Sequence, residues 1–174
     1  MNLMEARTPD NHIAIAEAAI RIKGTVILRA YKAGTKELLT EIVTPNIVVN
    51  SPNFGLDLII QRLIATNTYS LNITQGEIGT GTTTPAVTDT QLTAGVARTS
   101  VTYSADNGNT IAVLQFFFPD STLPNQTYTE FGTFVDGSNV LGSGQMFNHA
   151  LFSTSYAKVS GVDITVEVDF TLSQ

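Results

Sequence analysis

Val162-Asp163-Ile164-Thr165-Val166-Glu167-Val168-Asp169-Phe170-Thr171-Leu172 alternates apolar and polar residues without a break. Side chains on a strand point to opposite faces in turn, so Val162, Ile164, Val166, Val168, Phe170 and Leu172 share one face. Asp163, Thr165, Glu167, Asp169 and Thr171 share the other. One face must be buried, which predicts a sheet protein with a core on one side of this strand. Upstream, stretches rich in β-branched and aromatic residues predict further strands at about 23–31, 37–43, 71–78, 96–104, 110–118, 128–135 and 140–147. Turn chemistry separates them. Ala33-Gly34-Thr35-Lys36 joins the first two strands, Pro45 ends the second, and Asn46 to Asn50 makes a short extended piece. Asp106-Asn107-Gly108-Asn109 is the strongest hairpin signal, because Asn-Gly accepts the positive φ angles of a type I′ turn. Antiparallel strands at this spacing predict a mainly β chain folded as an antiparallel β-sandwich.

One helix interrupts the pattern, over about Asn53 to Thr66. Leu56, Ile59, Ile60, Leu63 and Ile64 recur at helical spacing and predict a stripe facing the core, with Asp57, Gln61 and Arg62 toward solvent. Ser51 is placed to cap it and Pro52 to open it. Residues 1–21 read as an N-terminal docking arm and residues 22–174 as the sandwich domain. The arm holds a turn at Pro9-Asp10-Asn11 and a short helical stretch over His12 to Ile20, too small for a core of its own.

Composition narrows the function. The chain has 174 residues, enough for one well-buried domain, and no Cys, which removes disulfides, thiolate catalysis and Cys-based metal sites. With 14% charged residues and a net charge of −6 there is no basic surface for nucleic acid. The apolar run Ile13-Ala14-Ile15-Ala16 is broken by Glu17 and has no flanking features of a secretion signal, and no run of about twenty apolar residues spans a bilayer. Membrane partners are not expected. Without a secretory signal, the glycosylation patterns at Asn72-Ile73-Thr74 and Asn125-Gln126-Thr127 read as accidental.

Glu77 to Arg98 joins the end of a strand to a Gly/Thr loop, Gly79-Thr80-Gly81-Thr82-Thr83-Thr84-Pro85, then to the turn Asp89-Thr90-Gln91-Leu92 and a strand led by Arg98. The loop lacks the Gly-Lys-Ser/Thr ending of a phosphate-binding loop and reads as structural, with Gly79 and Gly81 taking backbone angles other residues resist and the Thr hydroxyls bonding to loop amides. Together with Gly24 to Leu28, Asn46 to Asn50, Thr129 to Phe134, Leu141 to Phe152 and Tyr156-Ala157-Lys158, this pattern resembles a family of tailed-bacteriophage virion structural proteins over roughly residues 22–172. Members often carry a Glu three residues before the Arg. This chain has Gly95 there, so a Glu–Arg pair is not expected at that corner.

The resemblance implies a non-enzymatic virion component, made in the host cytoplasm and located in the virion. Within that class the expected role is a capsid decoration or cement subunit that binds and stabilises the assembled particle. The alternative is a neck, tail or fibre-adaptor component that links or displays a receptor-binding protein. Partners would be other virion proteins and further copies of the chain, with a trimer suited to local three-fold positions. Candidate subunit contacts are Ile13, Ile15 and Ile20 in the arm and Phe117 in Phe116-Phe117-Phe118, a row that is either central under the helix or at an interface.

No catalytic residues, metal ligands or cofactor site are expected. His12 and His149 lack partners at metal-ligand spacing and read as ordinary surface or interface residues, and the absence of Trp leaves few flat platforms for sugars. A glycan-degrading enzyme is the reading from another class. Glu130, beside Phe131, is its one candidate carboxylate; the structural reading has Glu130 accepting backbone hydrogen bonds or pairing with Arg98.

Overall fold

A computed structural model describes residues 20–66 and 68–174. The elements are β1 (Arg21–Lys32), β2 (Leu38–Val48), α1 (Leu56–Leu63), β3 (Ile73–Gly79), β4 (Gly95–Asn107), β5 (Ile111–Phe118), β6 (Thr127–Val135), β7 (Gln145–Ala157) and β8 (Val162–Ser173). The alternating strand is β8. It pairs antiparallel with β1 from Lys32–Val162 to Arg21–Ser173 and with β5 from Phe118–Ile164 to Ile111–Thr171. Its apolar set from Val162 to Phe170 is buried, as the period demands.

The strands close into a ring in the order β1-β2-β7-β6-β3-β4-β5-β8, an eight-stranded antiparallel barrel rather than the expected sandwich. Two long strands carry the ladder around the corners. β4 pairs with β3 through Ser100 and with β5 from Val101 onward. β2 pairs with β1 as far as Asn46 and turns to β7 at Ile47 and Val48. Pro45 therefore lies inside a strand and does not end it. Having no N–H to donate, it is tolerated because the β7 ladder begins only beyond it. The strand expected at 140–147 starts instead at Gln145 and runs to Ala157. In the hairpin between β4 and β5 the positive φ angles fall on Gly108 and Asn109, one residue later than expected, with the Asp106 carboxylate accepting the Asn109 N–H at 3.0 Å.

Side chains fill the barrel. Val26, Leu28, Ile78, Phe116, Phe131 and Ile164 are among those with no or almost no exposure. The Phe131 ring lies 5.5 Å from Phe116 and 6.5 Å, edge-on, from Phe118, and Gly76 leaves the space that the Phe116 and Phe131 rings occupy. Among the described residues these side chains make the barrel interior a packed core.

The helix differs most from expectation. Its cap residue is Gly55, whose N–H donates to the Met146 carbonyl at 3.0 Å, while the Ser51 hydroxyl is turned away to the Thr88 carbonyl at 3.0 Å. A Cβ at Gly55 would collide with the Val49 carbonyl, so the chain can enter the helix only through glycine here. Leu58 alone is buried, with Ile59 partly packed on the core. Ile60, Leu63 and Ile64 are 54%, 76% and 68% exposed, so the expected core stripe is a surface stripe. The physical reason is length: the helix has only two turns, is tied to β7 at its start, and lays Leu58 and part of Ile59 on a core that strands already fill.

Candidate functional site

Strands β3, β6 and β7 turn polar side chains outward where a free sheet would meet water, and residues 80–94 fold back over them. This is the Gly/Thr loop and Asp-Thr-x-Leu turn. Leu92 anchors it in a small outer core with Val49, Phe134 and Met146, in the space left by Gly132. The Asn50 N–H donates to the Val87 carbonyl at 2.6 Å at the far end.

Glu130 sits beneath this cover with no exposure. Its Oε1 accepts the N–H groups of Gly81 at 2.9 Å and Ala94 at 2.7 Å, and its Oε2 accepts that of Thr93 at 3.1 Å. His149 Nε2 lies 3.1 Å from the same Oε2, and His149 Nδ1 lies 2.7 Å from Asp89 Oδ2. A carboxylate at each ring nitrogen favours a proton on both, that is, the imidazolium form. Burial opposes that charge, but the bonds to Glu130 and Asp89 outweigh it and raise the His149 pKa above its ordinary value. For Glu130, burial pushes upward, and the His149 bond with the Ala94, Thr93 and Gly81 amides holds the carboxyl below its ordinary value. Asp89 also accepts the Ala86 N–H at 2.8 Å, so one side chain shapes the turn and pins it to β7.

Gly79 and Gly81 have ordinary negative φ angles, contrary to the expected role, and what matters is their size. A Cβ at either would run into the Glu130 carboxylate. The hydroxyl that ties Gly81 down comes from outside the loop, Thr129 Oγ1 donating to its carbonyl at 2.6 Å.

A second buried pair lies alongside. Arg98 Nε donates to Glu77 Oε2 at 2.7 Å, joining β4 to its register neighbour on β3. The Glu–Arg pair not expected at this corner does form, from another strand, and Gly95 makes it possible: a Cβ there would strike Glu77 Oε1. Arg98 Nη1 donates to the carbonyls of Ser143 at 2.5 Å and Ser138 at 3.2 Å, and the guanidinium lies 4.0 Å from the Phe134 ring centre. The loop between β6 and β7 is thus held by Arg98. At the opposite end of the barrel, Lys158 buries its ammonium against Asp120 Oδ1 at 2.6 Å and Asn125 Oδ1 at 3.1 Å, locking the β7–β8 turn to the β5–β6 loop.

Of the residues singled out from sequence, Glu130 takes the backbone-accepting role and does not pair with Arg98. His149 is not a surface or interface residue but lies 1% exposed at the centre of the cluster. Its signal in the sequence was a polar pair, Asn148-His149, inside the apolar run from Met146 to Phe152. Phe117 points outward between Gln115 and its register neighbour Thr165 and is 40% exposed, while Phe116 and Phe118 are interior. Ile20 is exposed at the start of β1; Ile13, Ile15 and His12 lie outside the described residues.

Phe117 belongs to a five-stranded outer face, β4-β5-β8-β1-β2, on which Phe117, Tyr103 and Val43 are exposed among the described residues. Rows of side chains cross it in register, Phe117, Thr165, Arg29 and Glu41 in one, Tyr103, Gln115, Glu167, Ile27 and Val43 in the next. Arg29 bridges Glu41 at 2.7 Å and Glu167 at 3.2 Å, and Gln115 donates to Glu167 at 2.6 Å. Tyr103 and Val43 are about half exposed. Asp169 on the same face has a raised pKa from burial and the Glu167 charge.

Among the described residues no cluster of three or more His, Asp or Glu is placed to hold a metal ion, and no helix is long and apolar enough to cross a membrane. Chemically, the buried clusters fasten loops, while the open sheet face offers a rigid surface of aromatic, apolar and charged groups. No family model, curated protein or solved structure matches the chain.

Proposed function

We propose that the chain is a non-enzymatic structural subunit of a bacteriophage virion, acting as a decoration or cement protein that stabilises the particle by binding it. The family resemblance supplies the class. The observation that carries the mechanism is the use of the buried charges: Glu130, His149, Arg98, Glu77 and Lys158 all fasten loops to a filled barrel. Glu130, the carboxylate that a glycosidase reading would need, has both oxygens occupied and no exposure. Such a body binds through preformed surface, and binding only the assembled shell shifts the assembly equilibrium toward it by mass action.

Imaging of intact particles tests the reading. Copies spread over the head at capsomer boundaries are expected. A few copies at one vertex or along an appendage would favour a neck, tail or fibre adaptor, and absence from particles would overturn the class.

A further inference from the structure

Residues 80–94 are fastened to the barrel in two places, a neck and a tip, and the His149 ring lies between them. At the neck, Glu130 accepts the N–H groups of Gly81, Thr93 and Ala94, and the Thr80 N–H donates to the Ala94 carbonyl at 2.9 Å. At the tip, Asp89 meets His149 Nδ1, the Val87 carbonyl accepts the Asn50 N–H, and the Thr88 carbonyl accepts the Ser51 hydroxyl. Of these tip contacts, the one between Asp89 and His149 is the one that imidazole titration can change.

We propose that the tip, residues 86–91, is a pH-operated latch: when His149 loses a proton, Asp89 lets go while the neck stays closed. The geometry decides which proton leaves. A neutral imidazole keeps one N–H and turns a lone pair to whatever faces its other nitrogen. Here a carboxylate faces each nitrogen, so one of the two contacts becomes repulsive. The Glu130 side chain has no exposure and is held by three amides, so it cannot turn away. Asp89 is 26% exposed on the loop and can rotate into water. The neutral ring therefore keeps its proton on Nε2, toward Glu130, and presents a bare Nδ1 to Asp89.

Burial lowers the His149 pKa, and Glu130 on β6 and Asp89 on the loop, the charged groups that face the ring, more than restore it. Its register neighbours, Ile47 on β2 and Gly132 on β6, carry no charge, and the Glu77–Arg98 pair alongside balances its own. A raised value means that the closed form holds the proton more tightly, so the latch is shut at low pH and opens as pH rises through the folded value. One proton is released, so the opening equilibrium grows by at most about tenfold per pH unit. Glu130, held below its ordinary value, stays ionised across this range, and the neck keeps its bonds. The inference is independent of the virion reading.

Amide hydrogen exchange followed across pH, with the chemical rate divided out, reads neck and tip separately. The Asn50 and Asp89 amides, bonded to the Val87 and Ala86 carbonyls, should lose protection as His149 deprotonates, while those of Gly81, Thr93 and Ala94 keep theirs. Nitrogen-15 NMR of the two histidine rings should show His149 as the Nε2–H tautomer at the alkaline end. Asp89→Asn supplies an amide that can accept from a charged ring or donate to a neutral one, so its tip exchange should lose the pH dependence. An Nδ1–H tautomer would overturn the proposal, as would tip and neck amides that open together. So would tip protection that is constant through the His149 titration, an Asp89→Asn profile identical to wild type, or a ring that stays charged until the protein unfolds.

Discussion

At the scale of single residues, the barrel depends on a few buried charges, and each is held by more than one kind of partner. Glu130 accepts three backbone N–H groups and faces the His149 ring. Glu130→Gln keeps the shape but removes the charge and puts an NH2 group where donors already point. Breaking a buried pair of this kind costs about 3 kcal/mol or more, so chemical denaturation should show a loss of that size, with residues 80–94 becoming accessible to protease first. The cluster also predicts a pH profile. The raised His149 pKa means that its contribution is complete below the ordinary value of 6.5 and is lost as pH rises through the folded value. The lowered Glu130 pKa means that its contribution is complete above the ordinary 4.5 and is lost as pH falls through the folded value. Melting temperature should therefore plateau between those two pH values and fall on the alkaline side. In His149→Gln the alkaline decline should flatten; a decline identical to wild type would show that His149 does not carry the charge assigned to it.

At the scale of elements, what was legible in the sequence was whatever a local period or turn residue dictates. The alternation in β8, the alternate burial of Phe116 to Phe118 and the β4–β5 hairpin all follow from the two-residue repeat and from Asn-Gly chemistry. Closure was not legible, because it depends on β2 running on past Pro45 to reach β7 and on β4 passing from β3 to β5 between Ser100 and Val101, and no local signal marks either change of partner. The helical stripe was legible as a stripe but not as exposed, since periodicity shows that residues share a face and not which face is covered. Gly79, Gly81 and Gly95 carried the site's signature in the sequence, but their meaning lay in carboxylates from β6 and β3 that only the fold brings against them. The helix yields a direct comparison. Leu58→Ala removes a buried side chain and should cost about 2–5 kcal/mol. Leu63→Asp, on the solvent side, should change stability by no more than about 0.5 kcal/mol. Paired thermal melts check the contrast, and a severe loss with Leu63→Asp would place that side chain in the core.

At the scale of the whole molecule, the two outer sides of the barrel are finished differently. The β3-β6-β7 side is covered by its own loops and locked by Glu77–Arg98 and by Glu130 with His149. Among the described residues the β4-β5-β8-β1-β2 side is exposed sheet, and the aromatics Phe117 and Tyr103 on it stand near the ordered pairs of Arg29, Glu41, Glu167 and Gln115. In the proposed attachment role, a surface of this composition, aromatic side chains among hydrogen-bonded charge, would suit specific and reversible binding. It is also pre-organised, because the strands holding these side chains are paired along both edges in β1, β5 and β8. Phe117→Ser separates attachment from folding. Phe117 projects from the barrel, so the substitution should leave the melting temperature of the purified protein nearly unchanged, while removing an aromatic anchor should weaken attachment to particles by about tenfold or more. Co-sedimentation of the variant with particles lacking the wild-type protein measures this directly. Unchanged attachment together with an unchanged melt would remove Phe117 from the contact.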